Sequence, residues 1–136
     1  MISPGIKSLG DFAIAAAGTF FGDWVSDLDG LLAAAAQLRF TGGSGGTSVK
    51  AYLQTSLDQG TTAVDIACVV FETTAEVAAL NFSALTPQLT QVIPTDGALA
   101  DDTAIDGILG DRFRLKYVVT GAYSGSTVLS GRLCVR

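Results

Sequence analysis

No histidine occurs in this 136-residue chain, which removes the commonest general base and the commonest metal ligand together. Triads of the Ser-His-Asp or Cys-His type are excluded. A Ser-Lys arrangement would have to rest on Lys7, Lys50 or Lys116, and no motif surrounds any of them. The two cysteines, Cys68 and Cys134, are far apart in apolar runs and form neither a CxxC nor a Cys-His spacing. They are expected as buried free thiols, not as a disulfide, zinc site or redox pair. Acids are available for a two-carboxylate glycosidase, but nothing in their spacing pairs them. No enzyme activity and no cofactor is expected. Long apolar runs are missing too: none approaches the roughly 18 residues of a membrane span, and Asp11 interrupts the first apolar stretch, so neither a membrane segment nor a signal peptide is expected and the chain should fold in a cytoplasm.

Charge is scarce as well. Charged residues make up 15% of the chain and apolar ones 49%, against about 25% charged in ordinary soluble domains. So few charges leave much of the surface uncovered, and burial of part of it against other chains is expected. The charges are also unevenly placed. Residues 1–111 hold all 13 acids with only Lys7, Arg39 and Lys50, a net of −10, whereas residues 112–136 hold Arg112, Arg114, Lys116, Arg132 and Arg136 and no acid. Such a split can orient contacts between copies of one protein. Acidic loops of the same fold can equally neutralise a basic strand pair, and both uses stay open at this point. A nucleic-acid partner is not favoured, because the basic face lacks interleaved aromatics and the chain as a whole carries −5.

What is plentiful is short apolar runs separated by Gly, Asp, Ser and Thr, with little helical periodicity. The expected fold is all-β: one domain over residues 1–136, a single antiparallel β-sandwich, with the jelly roll as one arrangement that fits. At this length it should bury roughly two thirds of its unfolded surface. Residues 1–10 read as an N-terminal arm, followed by strands over 11–18 and 31–41. The alanine-rich run Leu31 to Phe40 favours helix intrinsically, but it is short and lies between Asp29-Gly30 and Gly42-Gly43-Ser44-Gly45-Gly46, so it reads as a strand with a glycine hairpin tip. Strands follow over 47–55 and 64–72, the second apolar on both faces after Asp65 and therefore central. Residues 75–85 suit a strand or a short helix. Residues 86–111 form a long loop, and loops of that length inside a domain are often interaction arms. Strands over 112–120 and 127–135 alternate cleanly, and if they pair, Arg112, Arg114, Lys116, Arg132 and Arg136 form one basic patch, the candidate interface.

Two acidic clusters, Asp23 to Asp29 and Asp101-Asp102 with Asp106, carry oxygens suited to Ca²⁺ but lack EF-hand spacing. They read as turn-forming aspartates, and no metal is expected. The glycine tip lacks the Lys-Thr of a phosphate loop. Between strands, Ser56-x-Asp58-x-Gly60-x-Thr62 has the chemistry of a tight turn: a carboxylate to accept backbone N–H groups and a glycine for positive φ. It resembles the Asp-box hairpin, with Ala63 where an aromatic is usual. Only one copy is present, so a propeller of such blades is excluded.

Three stretches together, Tyr52 to Ala67, Gly110 to Tyr117 and Thr120 to Tyr123, resemble a family of small structural proteins of tailed bacteriophages and prophages. That family carries a Gln-Thr-Ser-x-Asp-x-Gly-x-Thr-Trp hairpin, a Gly-x-x-Arg-x-x-aromatic strand and a terminal hairpin. The resemblance covers roughly residues 31–136 and implies a virion component assembled in the bacterial host cytoplasm. Its leading form is a capsid decoration or cement protein that bridges major capsid protein subunits and contacts copies of itself. A tail or head-tail-connector component is the alternative within the virion. A carbohydrate-binding module, with Trp24, Tyr52 or Tyr123 as stacking platform for a glycan, is the alternative of another class and is not favoured.

Overall fold

Side chains alternate sides along a strand, so apolar residues at every second position give each strand one face to bury. The computed structural model describes residues 2–136, among which there are strands and no helix. The strands are β1 (Gly5–Ala13), β2 (Gly18–Phe21), β3 (Ala33–Thr41), β4 (Ser44–Gly45), β5 (Ser48–Ser56), β6 (Val64–Phe71), β7 (Glu76–Ser83), β8 (Thr103–Ala104), β9 (Arg112–Thr120), β10 (Tyr123–Ser124) and β11 (Val128–Val135). One sheet, called A below, has the order β1-β11-β3-β7, and sheet B has the order β2-β9-β5-β6-β8. All pairings are antiparallel, including the short ribbon of β4 with β10.

The two sheets face each other as a β-sandwich. Leu38, Phe40, Leu129 and Leu133 of sheet A and Leu53, Ile66, Phe113 and Leu115 of sheet B belong to one buried cluster. Phe40 stacks on Phe71 across the gap, ring centroids 5.4 Å apart. A methyl group built on Gly131 of β11 would come within 2.6 Å of the Leu115 side chain of β9, so any larger residue there would have to push that leucine aside. The alanine-rich run is a strand as expected. In β3 Ala34, Ala36, Leu38 and Phe40 point inward, and pairing to both β11 and β7 overrides the helical preference of alanine.

Four expectations need correction. The N-terminal arm is a strand from Gly5 onward, because β1 pairs along β11 from Gly5↔Val135 to Ala13↔Val128. The glycine run after β3 is no hairpin tip: β3 lies in sheet A and β5 in sheet B, so the run carries the chain between sheets and contributes β4 on the way. Strand β6 is buried on both faces, but its outer neighbour is only the two-residue β8, and a loop does the rest of the covering. Most important, β9 and β11 do not pair. The turn after β9 also changes sheets, so β9 lies between β2 and β5 while β11 lies between β1 and β3.

Candidate functional site

The separation of β9 from β11 divides the basic residues. Phe113, Leu115, Tyr117 and Val119 point into the core from β9, and Leu129, Leu133 and Val135 do so from β11. Arg112, Arg114 and Lys116 therefore lie on the outer face of sheet B, and Arg132 on the opposite outer face of the molecule with Arg136 just beyond β11. The single basic patch does not exist. Each of these cations also has a partner within the chain. Arg112 Nε is 3.0 Å from Asp111 Oδ1, and Arg132 Nη2 is 3.1 Å from Asp11 Oδ1. Lys116 Nζ is 3.1 Å from Asp96 Oδ1. Arg114 donates from Nε to Gln54 Oε1 at 2.8 Å, and its guanidinium lies 4.4 Å from the Trp24 ring centroid and 4.7 Å from that of Phe21. This outer face is a self-satisfied network in which aromatics hold the cation by their ring faces.

Its centre is an aspartate that sequence reasoning passed over. Asp65 on β6 is buried and accepts hydrogen bonds from Gln54 Nε2 (2.8 Å), Thr95 Oγ1 (2.8 Å) and the backbone N–H groups of Gly97, Ala98 and Leu99. Gln54 Nε2 also donates to Asp96 Oδ1 at 2.7 Å. The carboxylate thus pins the stretch from Thr95 to Leu99 onto sheet B, and Lys50 with Asp101 (2.9 Å) and Asp102 with the Val70 N–H (3.0 Å) continue the attachment. A signal was present: one acid inside the apolar run of β6 needs dedicated partners if it is buried. The second half of the expected 86–111 arm is therefore a cover for its own sheet.

The Asp turn is built as its spacing predicts. Ser56 Oγ donates to Asp58 Oδ1 (2.9 Å) and accepts from the Gly60 N–H (2.8 Å), while the Thr62 N–H donates to Asp58 Oδ1 (2.7 Å). Gly60 has φ +90°, and a methyl group there would come within 3.3 Å of Trp24 Nε1. The Thr62 hydroxyl and N–H hold the Asp58 carboxyl below the ordinary carboxylate range. Trp24 of the loop after β2 thus lies against the turn, where Ala63 supplies no ring. Tyr52 is buried in the face of sheet B, and Tyr123 is buried with its hydroxyl donating to the Glu72 carbonyl. The three aromatics named for glycan stacking do not share a platform.

The aspartates considered for Ca²⁺ do not converge. Asp101 and Asp102 serve sheet B, whereas Asp106 accepts from the Ser83 N–H (2.7 Å) and Thr86 Oγ1 (2.8 Å), contacts that lower its pKa. Among the described residues no group of three or more His, Cys, Asp or Glu side chains is placed to hold a metal. Cys68 is buried, with burial raising its pKa, and both thiols are free. Cys134 is only half-buried, against expectation, and with Ile6, Ala35 and Ala79 lines a shallow groove of about 320 Å³ on the outer face of sheet A.

The surface that stands out overlaps the first half of the 86–111 loop expected as an interaction arm, although its lack of charge and its exposed apolar side chains were not singled out from the sequence. From Val77 to Thr95 no residue carries a charge. This run supplies β7 and then a loop on which Leu85, Leu89 and Ile93 are exposed, Leu89 at 93%. The loop is fastened at one end by Asp106, whose backbone carbonyl also accepts from Gln88, and at the other by Asp65. No family model, curated protein or solved structure matches this chain.

Proposed function

We propose that this protein is a structural subunit of a bacteriophage virion, in its leading form a capsid decoration protein that binds over the joints between major capsid protein subunits. It works by burying surface, with no reaction. The observation that carries this reading is the uncharged loop with Leu85, Leu89 and Ile93 exposed between two aspartate clasps. Large exposed apolar side chains mark contact surfaces. A loop held at both ends meets its partner with little further ordering cost, which favours stable association. The resemblance of the Asp turn and of β9 to phage structural proteins supplies the virion setting. The contact surface moves, in this reading, from the basic strands to the apolar loop, since the cations of β9 are committed within the chain.

The test is to purify particles made with the chain tagged after Arg136 and to image the label. Label over the whole head is the expected result. Label at one vertex or along the tail would favour a connector or tail component, and particles without label, in a lysate that holds the folded tagged chain, would overturn the reading. Leu89→Asp with Ile93→Asp should reduce incorporation at least tenfold while leaving the melting temperature of the isolated chain unchanged.

A further inference from the structure

We propose that β7 is a self-pairing edge: two copies of this chain join through it, antiparallel about a twofold axis, merging their sheets A into one continuous sheet. The inference goes beyond the virion reading and is tested on the isolated chain, so each can fail without the other.

The argument starts from which backbone groups β7 leaves open. Among the described residues its only neighbour in the sheet is β3. Ala33 exchanges both backbone hydrogen bonds with Arg136, on the side away from β7. Ser83, its partner in register, therefore also turns its N–H and C=O away from β3, and that N–H meets Asp106. Orientation alternates along an antiparallel pair, so Asn81, Ala79 and Val77 present their N–H and C=O groups at the free edge as well. Such a row is a template for another strand.

Sequence chemistry leaves this edge unguarded and guards the other. β1, the opposite edge of sheet A, carries Lys7 and Asp11 and is broken by an irregularity between Ser8 and Gly10, devices that discourage pairing. β7 has no charge after Glu76 and its register with β3 is unbroken. The edges of sheet B are the four-residue β2 and the two-residue β8. With β7 the one long edge left unguarded among the described residues, head-to-tail growth lacks a matching second site, and the arrangement that satisfies both copies is a closed, isologous dimer.

The register follows from the same alternation. Outward-facing residues must meet outward-facing residues, and the register in which all three open residues find a partner puts Ala79 on the axis and Val77 opposite Asn81 of the second copy, adding about six backbone hydrogen bonds. Asp106 closes the ladder at Ser83. On the inner side Ala78 and Leu80, half-buried at the rim of the core, come to lie opposite each other across the axis and lose their remaining exposure. The two Glu76 side chains end about 20 Å apart at roughly 3.4 Å per residue, well beyond the roughly 8 Å screening length of physiological salt. A chain of net charge −5 thus meets its copy where like charges do not face each other.

The test is the mass in solution, by sedimentation equilibrium. The wild-type chain should run at twice its 13.9 kDa. Ala79→Pro removes an outward N–H that β3 does not use, a position where an edge strand tolerates proline, so this variant should return to the single-chain mass with an unchanged circular dichroism spectrum. In a Cys134→Ser background, Ala79→Cys should form an intermolecular disulfide on mild oxidation, because the paired Cα atoms on the axis lie about 5.5 Å apart. A monomeric wild-type chain, a dimer that survives Ala79→Pro, or no cross-link in a dimeric Ala79→Cys variant would each overturn the proposal. So would dimers that form only with an unrelated strand-donating peptide.

Discussion

At the scale of single residues, two aspartates do opposite kinds of work with the same group. Asp65 is buried and gathers five donors, four from residues 30 or more positions away and the fifth from Gln54 across the strand pair. Removing it strands those donors in the interior, so Asp65→Ala should cost about 3 kcal/mol or more by chemical denaturation and should free Thr95 to Leu99 for hydrogen exchange. Asp58 lies at the surface and serves a local turn. Its pKa is lowered by Thr62, that of Asp106 by the Ser83 N–H and then Thr86, and that of Asp111 by Arg112. A carboxylate with a depressed folded pKa adds stability that is complete above the unfolded value and is lost as pH falls through the folded one. The melting temperature should therefore hold down to about pH 4 and fall below it. Asp58→Ala should shrink that acid dependence, and an identical pH profile would count against the turn's role. The turn was legible in the sequence because all its partners lie within seven residues. The clasp was not, because hydrogen bonds that cross a long loop leave no spacing to read.

At the scale of elements, the period-two pattern located the strands but not their neighbours. β9 and β11 have the inner faces that alternation predicts, yet each belongs to a different sheet, and nothing in the residues of either strand states which. What decides it is the pair of glycine-rich connections after β3 and β9, which cross and pair as β4 with β10. Their backbones come so close that a methyl group on Gly43 would overlap the Gly125 carbonyl oxygen, at 1.8 Å, and one on Gly45 would sit 2.6 Å from the Ala122 carbonyl oxygen. The glycines read as a flexible tip are a crossing point that admits no side chain. Gly43→Ala should accordingly destabilise the fold by about 2 kcal/mol or more, whereas Gly125→Ala, whose Cβ would have space but whose φ is +65°, should cost only the backbone penalty of about 1 kcal/mol. Denaturation midpoints of the two variants compare the effects directly.

At the scale of the whole molecule, charge is arranged to hold the fold together. The acid-rich first part of the chain neutralises the basic last part internally: Asp96 with Lys116, Asp111 with Arg112, Asp11 with Arg132. Of the two uses left open for the lopsided charge, neutralisation within the fold accounts for these three pairs. Arg114→Glu would bring a carboxylate against Asp96 and Gln54 Oε1 and remove the cation between Phe21 and Trp24, and should cost about 2 kcal/mol. Arg132→Glu, at a more exposed pair, should change the melting temperature far less. Equal effects would contradict this division of roles. One further consequence follows from β1 lying along β11 with Gly5 opposite Val135. Beginning and end of the fold are neighbours in space, so a short linker from Arg136 back to Ser3 would close the chain into a ring. Opened anew at Leu89, that ring should refold as a circular permutant, and anything fused next to Ser3 or Arg136 would leave the molecule from the same pole.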